Sequence, residues 1–409
     1  GAEGIDTVVL TDLGYFTSLD DVMKNNSVED IKAYLWWTLI DGTASRLSME
    51  MDRANWDFYS KTIRGAIAQE PLEQRSIRTV NWTLGEALGK LYVAQKFPPE
   101  AKAQMKELVG NLIKAYESRI NALDWMDDVT KAKAIEKLAK TNVKVGYPDK
   151  WKDYSSLSLI NDAGEATYFD AMVNVAAYEF AENIAELGEP VDKSKWYMSP
   201  QTVNAYYNPP YNEIVFPAAI LQPPFFDFTA DAAVNYGGIG GVIGHEISHG
   251  FDDSGADYDA DGNLVNWWTE KDLNEFNSLG DKLAAQYSAI EVLEDTFING
   301  KFTLGENIGD LGGIHAAFDA VALHHQDNGI PEAIDGFSAE ERFFLSWGTI
   351  WRAKIRDEAL KNQVRTDPHS PGYNRAMQPL KNMGAFYTTF DVKEGDGMYL
   401  PKEDRVYIW

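Results

Sequence analysis

His245-Glu246-Ile247-Ser248-His249 sets two imidazoles four residues apart, with a carboxylate beside the first. On a helix such positions share one face, so both rings can reach a single ion. Neutral imidazole nitrogen binds Zn²⁺ at about 2.0–2.1 Å. Glu246 would face the space beside the metal, where it can take a proton from water whose pKa falls towards about 7. The H-E-x-x-H pattern is that of a zinc peptidase. Catalytic zinc needs a third protein ligand and an open position. The best candidate is Glu306, in Gly305-Glu306-Asn307-Ile308-Gly309-Asp310. Asp310 follows one turn later on the same face and can accept the free ring N–H of a ligand histidine, fixing its tautomer. His315 is the alternative third ligand, but it lacks such a carboxylate partner. Without the histidine motif, Glu306 and Asp310 would read as a solvated helix face.

The elements that must carry these groups are partly visible. Gly237, Gly238, Gly240, Gly241 and Gly244 precede the motif. Each glycine inside a helix costs up to about 1 kcal/mol relative to alanine, so this helix is expected to gain from close backbone packing. Asn204-Ala205-Tyr206-Tyr207 and Glu213-Ile214-Val215-Phe216-Pro217 flank Asn208-Pro209-Pro210. Two β-prone runs around that turn chemistry predict a hairpin or a pair of edge strands. Leu221 to Phe226 reads as an apolar turn. Residues 1–150 read as helical, with one apolar face through Met105, Leu108, Val109, Leu112, Tyr116, Ile120 and Leu123. Lys131 to Lys140 continues as helix, Gly146-Tyr147-Pro148-Asp149 ends it, and Tyr147 to Ser158 reads as a linker. Arg405 to Trp409 reads as a short β-like ending. Asp257-x-Asp259-x-Asp261-Gly262 resembles a calcium loop, but that loop needs a glutamate at its twelfth position. Trp268 stands there, so an Asx/Gly turn is expected instead.

The formal charge of −26 argues against a nucleic-acid partner, which needs a surplus of Lys and Arg. With no cysteine, disulfides, thiolate metal sites and cysteine nucleophiles are excluded. No run of about 18 apolar residues reads as a membrane span. Gly1-Ala2-Glu3-Gly4 lacks the basic-then-apolar pattern of a signal peptide.

Taken together, the motifs resemble the neprilysin-type zinc metallopeptidases (gluzincins), most of all their disulfide-free bacterial oligopeptidases. The resemblance runs over essentially the whole chain, through Asn204 to Tyr207, Ile214 to Phe226, His245 to Asp252, Asn266-Trp267-Trp268, Glu306 to Gly313, His369-Ser370-Pro371 with Arg375, and Trp409. It implies a mainly α fold with a small β-sheet (α+β). The C-terminal part of a helical lid domain would occupy residues 10–150, and a thermolysin-like zinc catalytic domain residues 151–409. By resemblance His245, His249 and Glu306 are zinc ligands, Glu246 the general base, and Asp310 the carboxylate behind the first histidine. His369 stabilises the oxyanion and Arg375 binds a substrate carbonyl. His369 taken alone would be a turn residue. Asn204 and Ala205 match the edge strand that holds the peptide main chain. Ile220, Phe225, Val242 and Trp351 match the wall of the pocket for the side chain after the scissile bond; taken alone they would read as core.

The implied activity is hydrolysis of oligopeptides on the N-terminal side of hydrophobic residues, with one Zn²⁺ per site. Gly309 stands where the family usually has alanine, a departure expected to loosen the helix slightly. Family members carry a further N-terminal portion that builds the rest of the lid. A separate polypeptide completing it is therefore an expected partner. Bacterial relatives occur on both sides of the membrane, and a periplasmic or cell-surface location is favoured over a cytoplasmic one.

Overall fold

The apolar stripe that begins at Met105 lies on one helix, Pro99–Ala122, started by a proline whose missing N–H costs nothing there. Its residues Met105, Leu108, Val109, Leu112, Tyr116 and Ile120 are buried. They pack against a second long helix, Leu304–Asn328, here called the carboxylate helix. The computed structural model describes residues 4–8, 10, 12–160, 163–164 and 167–409. Gly1-Ala2-Glu3, read above for a leader, lies outside the described residues.

The chain divides into two compact units, residues 80–151 with 194–409, and residues 1–79 with 152–193. This division differs from the expected 10–150 and 151–409. The reason is packing: the Pro99–Ala122 helix shares its apolar face with the carboxylate helix, and residues 142–146 join the sheet of the larger unit.

That sheet holds three strands, β1 (Asn142–Gly146), β2 (Tyr206–Asn208) and β3 (Glu213–Pro217), in the order β1-β3-β2. β2 and β3 form the expected antiparallel pair, with Tyr206 opposite Val215. β1 was not foreseen. It runs parallel to β3, from Asn142 opposite Glu213 to Gly146 opposite Pro217. β3 is therefore central, not an edge. Every residue of it is buried, which accounts for the uninterrupted Ile214-Val215-Phe216 run. Pro217 is tolerated because it ends the strand. Among the described residues, no strand pairs with the other edge of β2. Tyr147 to Ser158 contains no helix or strand, as a linker should. Arg405 to Trp409 is not a strand. Val406, Ile408 and Trp409 are buried there, held by Arg119 Nη2 on the Trp409 carbonyl at 2.7 Å and by Val406 N–H on Asn382 Oδ1 at 2.8 Å.

The helix Gly241–Ser248, here called the ligand helix, follows a π-helical turn at Tyr236–Gly240 and lies across the carboxylate helix. The expected close approach is present. A Cβ built on Gly244 would stand 2.6 Å from the Gly313 carbonyl oxygen. Gly244→Ala is therefore expected to lower stability by about 1–3 kcal/mol through overpacking. Gly110→Ala, also helical but with open space at its Cβ, should raise it by up to about 1 kcal/mol. Denaturant midpoints of the two variants would show this, and equal midpoints would contradict it.

In the smaller unit, Leu13–Asn25 starts on an Asp12 cap and Val28–Thr43 on a Ser27 cap. Arg75 Nη1 binds Asp52 Oδ1 at 2.8 Å. The Val28–Thr43 helix buries none of its residues; Leu35, Trp36 and Trp37 are about 60% exposed (59%, 64% and 63%). No described helix is long and apolar enough to cross a membrane.

Candidate metal centre

Both histidines lie on the ligand helix, His245 inside it and His249 as its C-terminal cap. Their rings stand 4.4 Å apart at 84°, with Nε2 atoms separated by 2.9 Å. Glu306, in the first turn of the carboxylate helix, brings Oε2 to 3.1 Å from His245 Nε2 and Oε1 to 3.8 Å from His249 Nε2. One ligand atom from each of the three residues falls within 4.8 Å of the others. His315 is not in this group; it is buried beside Arg119, 3.3 Å from Nη2. Burial, then Arg119, push its pKa down to about 3.

The donors fit Zn²⁺. The outer nitrogen of each imidazole is engaged by a carboxylate, His245 Nδ1 with Asp310 Oδ1 at 2.9 Å and His249 Nδ1 with Asp252 Oδ2 at 2.6 Å. With those N–H groups taken, the Nε2 lone pairs face inward. Glu306 Oε2 is sealed from solvent yet has no hydrogen bond of proper geometry. A buried carboxylate oxygen among inward-facing nitrogens is matched by a cation. Burial works against charge on Glu306, but His245, His249 and His369 outweigh it and hold its pKa well below the usual carboxylate range. Burial likewise opposes charge on His245, while Asp310 and Glu306 hold its pKa up at about 10 among the protein groups alone.

A cavity of about 450 Å³ opens on these ligands. Asn204 and Ala205 line it just ahead of β2, and Ile220, Phe225, Val242 and Trp351 line it as apolar wall. Glu246, His369 and Arg375 complete the candidates that face it. Asp310 stands behind His245 instead and is fully buried. Burial, opposed by the two histidines, raises the pKa of Glu246. His369 Nε2 lies 3.1 Å from Glu306 Oε2, and Nδ1 is held by Asp367 Oδ1 at 2.7 Å.

Arg375 is more enclosed than a purely substrate-facing group. Its Nε and Nη2 bind Asp310 at 2.8 Å each, and its guanidinium lies 4.0 Å over the Trp351 ring. Among the described residues, no acceptor engages Nη1. Gly309 does more than loosen a helix. A Cβ there would stand 2.6 Å from His245 Nδ1, so the imidazole rests directly on the carboxylate helix.

Sequence reasoning did not single out three supports. Asp252 was signalled only by standing three residues after His249, and Asp367 by standing two before His369. Ser370, whose hydroxyl donates to Asn307 Oδ1 at 2.8 Å, stood within a motif of the resemblance but had no role attached to it.

Two models of peptidase family M13 match the chain, an N-terminal one over residues 1–148 and the other over residues 204–406. A neutral endopeptidase of Lactobacillus helveticus is 34% identical over 407 residues, covering 100% of this chain and 60% of that protein. Mouse neprilysin is 33% identical over 407 residues, covering 97% of this chain and 53% of that protein. Among solved structures, a Mycobacterium tuberculosis zinc metalloprotease in complex with an inhibitor aligns with a TM-score of 0.89 at 44% identity, over 97% of this chain and 60% of that one. The chain thus spans little more than half to three fifths of the length of these relatives.

Proposed function

The chain belongs to peptidase family M13, and from that premise we propose that it is the zinc-dependent, peptide-cleaving part of an oligopeptidase. The observation that carries the proposal is one cavity shared by a two-histidine, one-glutamate donor set, a buried carboxylate and an apolar wall. His245, His249 and Glu306 would hold the ion. Zn²⁺ bound there supplies Lewis acidity and brings the pKa of water towards neutrality.

Glu246 is the general base. Burial raises its pKa, which makes the carboxylate a better proton acceptor near neutral pH. It takes a proton from the attacking water and passes it to the leaving amine. His369, oriented by Asp367, donates to the oxyanion as the carbonyl becomes tetrahedral. Arg375 binds a substrate carbonyl through the donor that Asp310 leaves unused. Asn204 and Ala205 hold the extended peptide alongside the free edge of β2. Ile220, Phe225, Val242 and Trp351 take the side chain after the scissile bond, so cleavage falls on the N-terminal side of hydrophobic residues.

Mass-spectrometric mapping of the products from a mixture of short peptides tests this. Cuts before Leu, Phe or Ile that a zinc chelator abolishes are expected; cuts before charged residues would overturn the specificity. His369→Ala should lower kcat by about 10²–10³-fold, the worth of one oxyanion donor, with zinc content unchanged. An unchanged kcat would remove His369 from that role.

The larger unit is the catalytic one and the smaller unit part of a lid. The exposed Leu35, Trp36 and Trp37 fit a surface completed by a further N-terminal polypeptide. Adding that portion should raise peptide turnover and shift the native mass; a chain equally active and unchanged in mass would refute the partner. A periplasmic or cell-surface setting is favoured over a cytoplasmic one, as the bacterial relatives suggest, and fractionation of cells tests it.

A further inference from the structure

We propose that Lys137 is a positioning residue for the metal centre, acting through the turn that follows the second histidine. The inference rests on the metal site proposed above. Lys137 lies on the helix Asp128–Ala139 and is 1% exposed. Its Nζ donates to the Gly255 carbonyl at 2.7 Å and to the Tyr258 carbonyl at 2.6 Å. The rings of Tyr207, Phe251 and Trp267 surround it at 6.0, 5.8 and 5.8 Å. Burial pulls its pKa down to about 8, with Asp252, Asp259 and Asp257 opposing; it is charged at neutral pH. A buried ammonium held by two carbonyls is a costly way to close a turn.

What the turn carries explains the arrangement. The Gly255 N–H, on the same residue whose carbonyl Lys137 grips, donates to Asp252 Oδ1 at 2.6 Å. Ser254 N–H donates to that oxygen at 2.9 Å. The other oxygen, Oδ2, engages His249 Nδ1 at 2.6 Å. One continuous line of hydrogen bonds therefore runs from Lys137 through Gly255 and Asp252 to a metal-binding imidazole. Gly255 has no slack, since a Cβ there would stand 1.7 Å from the His249 carbonyl oxygen. Movement of Gly255 displaces both the carboxylate that orients His249 and the backbone that bears it. Groups that orient ligand histidines typically matter 10–100-fold in metal affinity.

A double-mutant cycle on the full chain, read by chelator competition for zinc, tests the inference. Lys137→Met should raise the zinc dissociation constant about 10–100-fold. In an Asp252→Asn background the same substitution should change it little, because the line is already cut. An unchanged zinc affinity in Lys137→Met, or fully additive losses in the double variant, would overturn the inference and leave a lysine that only stabilises the fold. Should Lys137→Met not fold, Lys137→Gln, which keeps an N–H donor, is read in the same cycle with a smaller expected loss and the same requirement of non-additivity. Wild-type chain that binds no zinc would overturn the metal site itself and this inference with it. Zinc binding by the wild type with no effect at Lys137 overturns this inference alone.

Discussion

Glu246→Gln is expected to keep its zinc and to lose peptide hydrolysis by about 10²–10⁴-fold, the usual worth of a positioned general base. The two side chains have nearly the same shape, and Glu246 is no member of the donor set. Metal content and fold should therefore survive while the proton acceptor is gone. Burial raises the pKa of Glu246, against the two histidines. Turnover numbers and zinc stoichiometry, measured on the same preparation, check this. Wild-type turnover in the variant would end the proposal that Glu246 is the base, whatever the metal does.

The second large effect is expected at Asp310. This residue is 0% exposed and binds two partners at once, His245 through Oδ1 at 2.9 Å and Arg375 through both oxygens at 2.8 Å. Asp310→Ala would strip the buried Arg375 guanidinium of both its hydrogen bonds to that carboxylate and of its nearest charge partner, leaving Glu306 Oε2 at 3.7 Å from Nη2, and breaking a buried pair in this way typically costs about 3–5 kcal/mol. It would also release His245 Nδ1, lowering zinc affinity about 10–100-fold. Adding Arg375→Leu should recover much of the lost stability of the metal-free chain, because the buried guanidinium is gone, but none of the zinc affinity. Denaturant titration and chelator competition separate the two consequences, and a double variant no more stable than Asp310→Ala would refute the charge argument. The pH dependence follows from the sign of the shift. Burial tends to raise the pKa of Asp310, but Arg375 and His245 outweigh it and hold it below its ordinary value. The stabilisation is therefore complete above about pH 4 and fades only as pH falls through the depressed value.

Much of the site is legible along the chain because helical geometry is local. Residues four apart share a face whatever the helix packs against, so His245 with His249, and Glu306 with Asp310, can be paired from spacing alone. The glycine-rich approach to the motif announces tight packing for the same kind of reason: nothing else offsets so many glycines in a helix. The spacing of the two histidines and of the two carboxylates, and the zinc chemistry such donors suit, are thus legible in the sequence itself, whereas the apolar pocket wall came only from the family resemblance.

The tertiary structure decided which groups meet across long stretches of chain. Asp310 reaches Arg375, 65 residues away, so a guanidinium expected only to face substrate also anchors the carboxylate behind His245. Asn142 to Gly146 reads as the end of a helical region, yet becomes the strand that makes β3 central, because its partner lies 71 residues on at Glu213 to Pro217. The turn from Asp252 to Tyr258 is held by Lys137 from 118 residues before Gly255, a contact that no local spacing announces. The two histidines and Glu246 with which the reading began are one helical turn of sequence. What holds those two rings in place, Asp310 behind one and Asp252 behind the other, depends on burial and close approach between distant segments, and no local pattern encodes that.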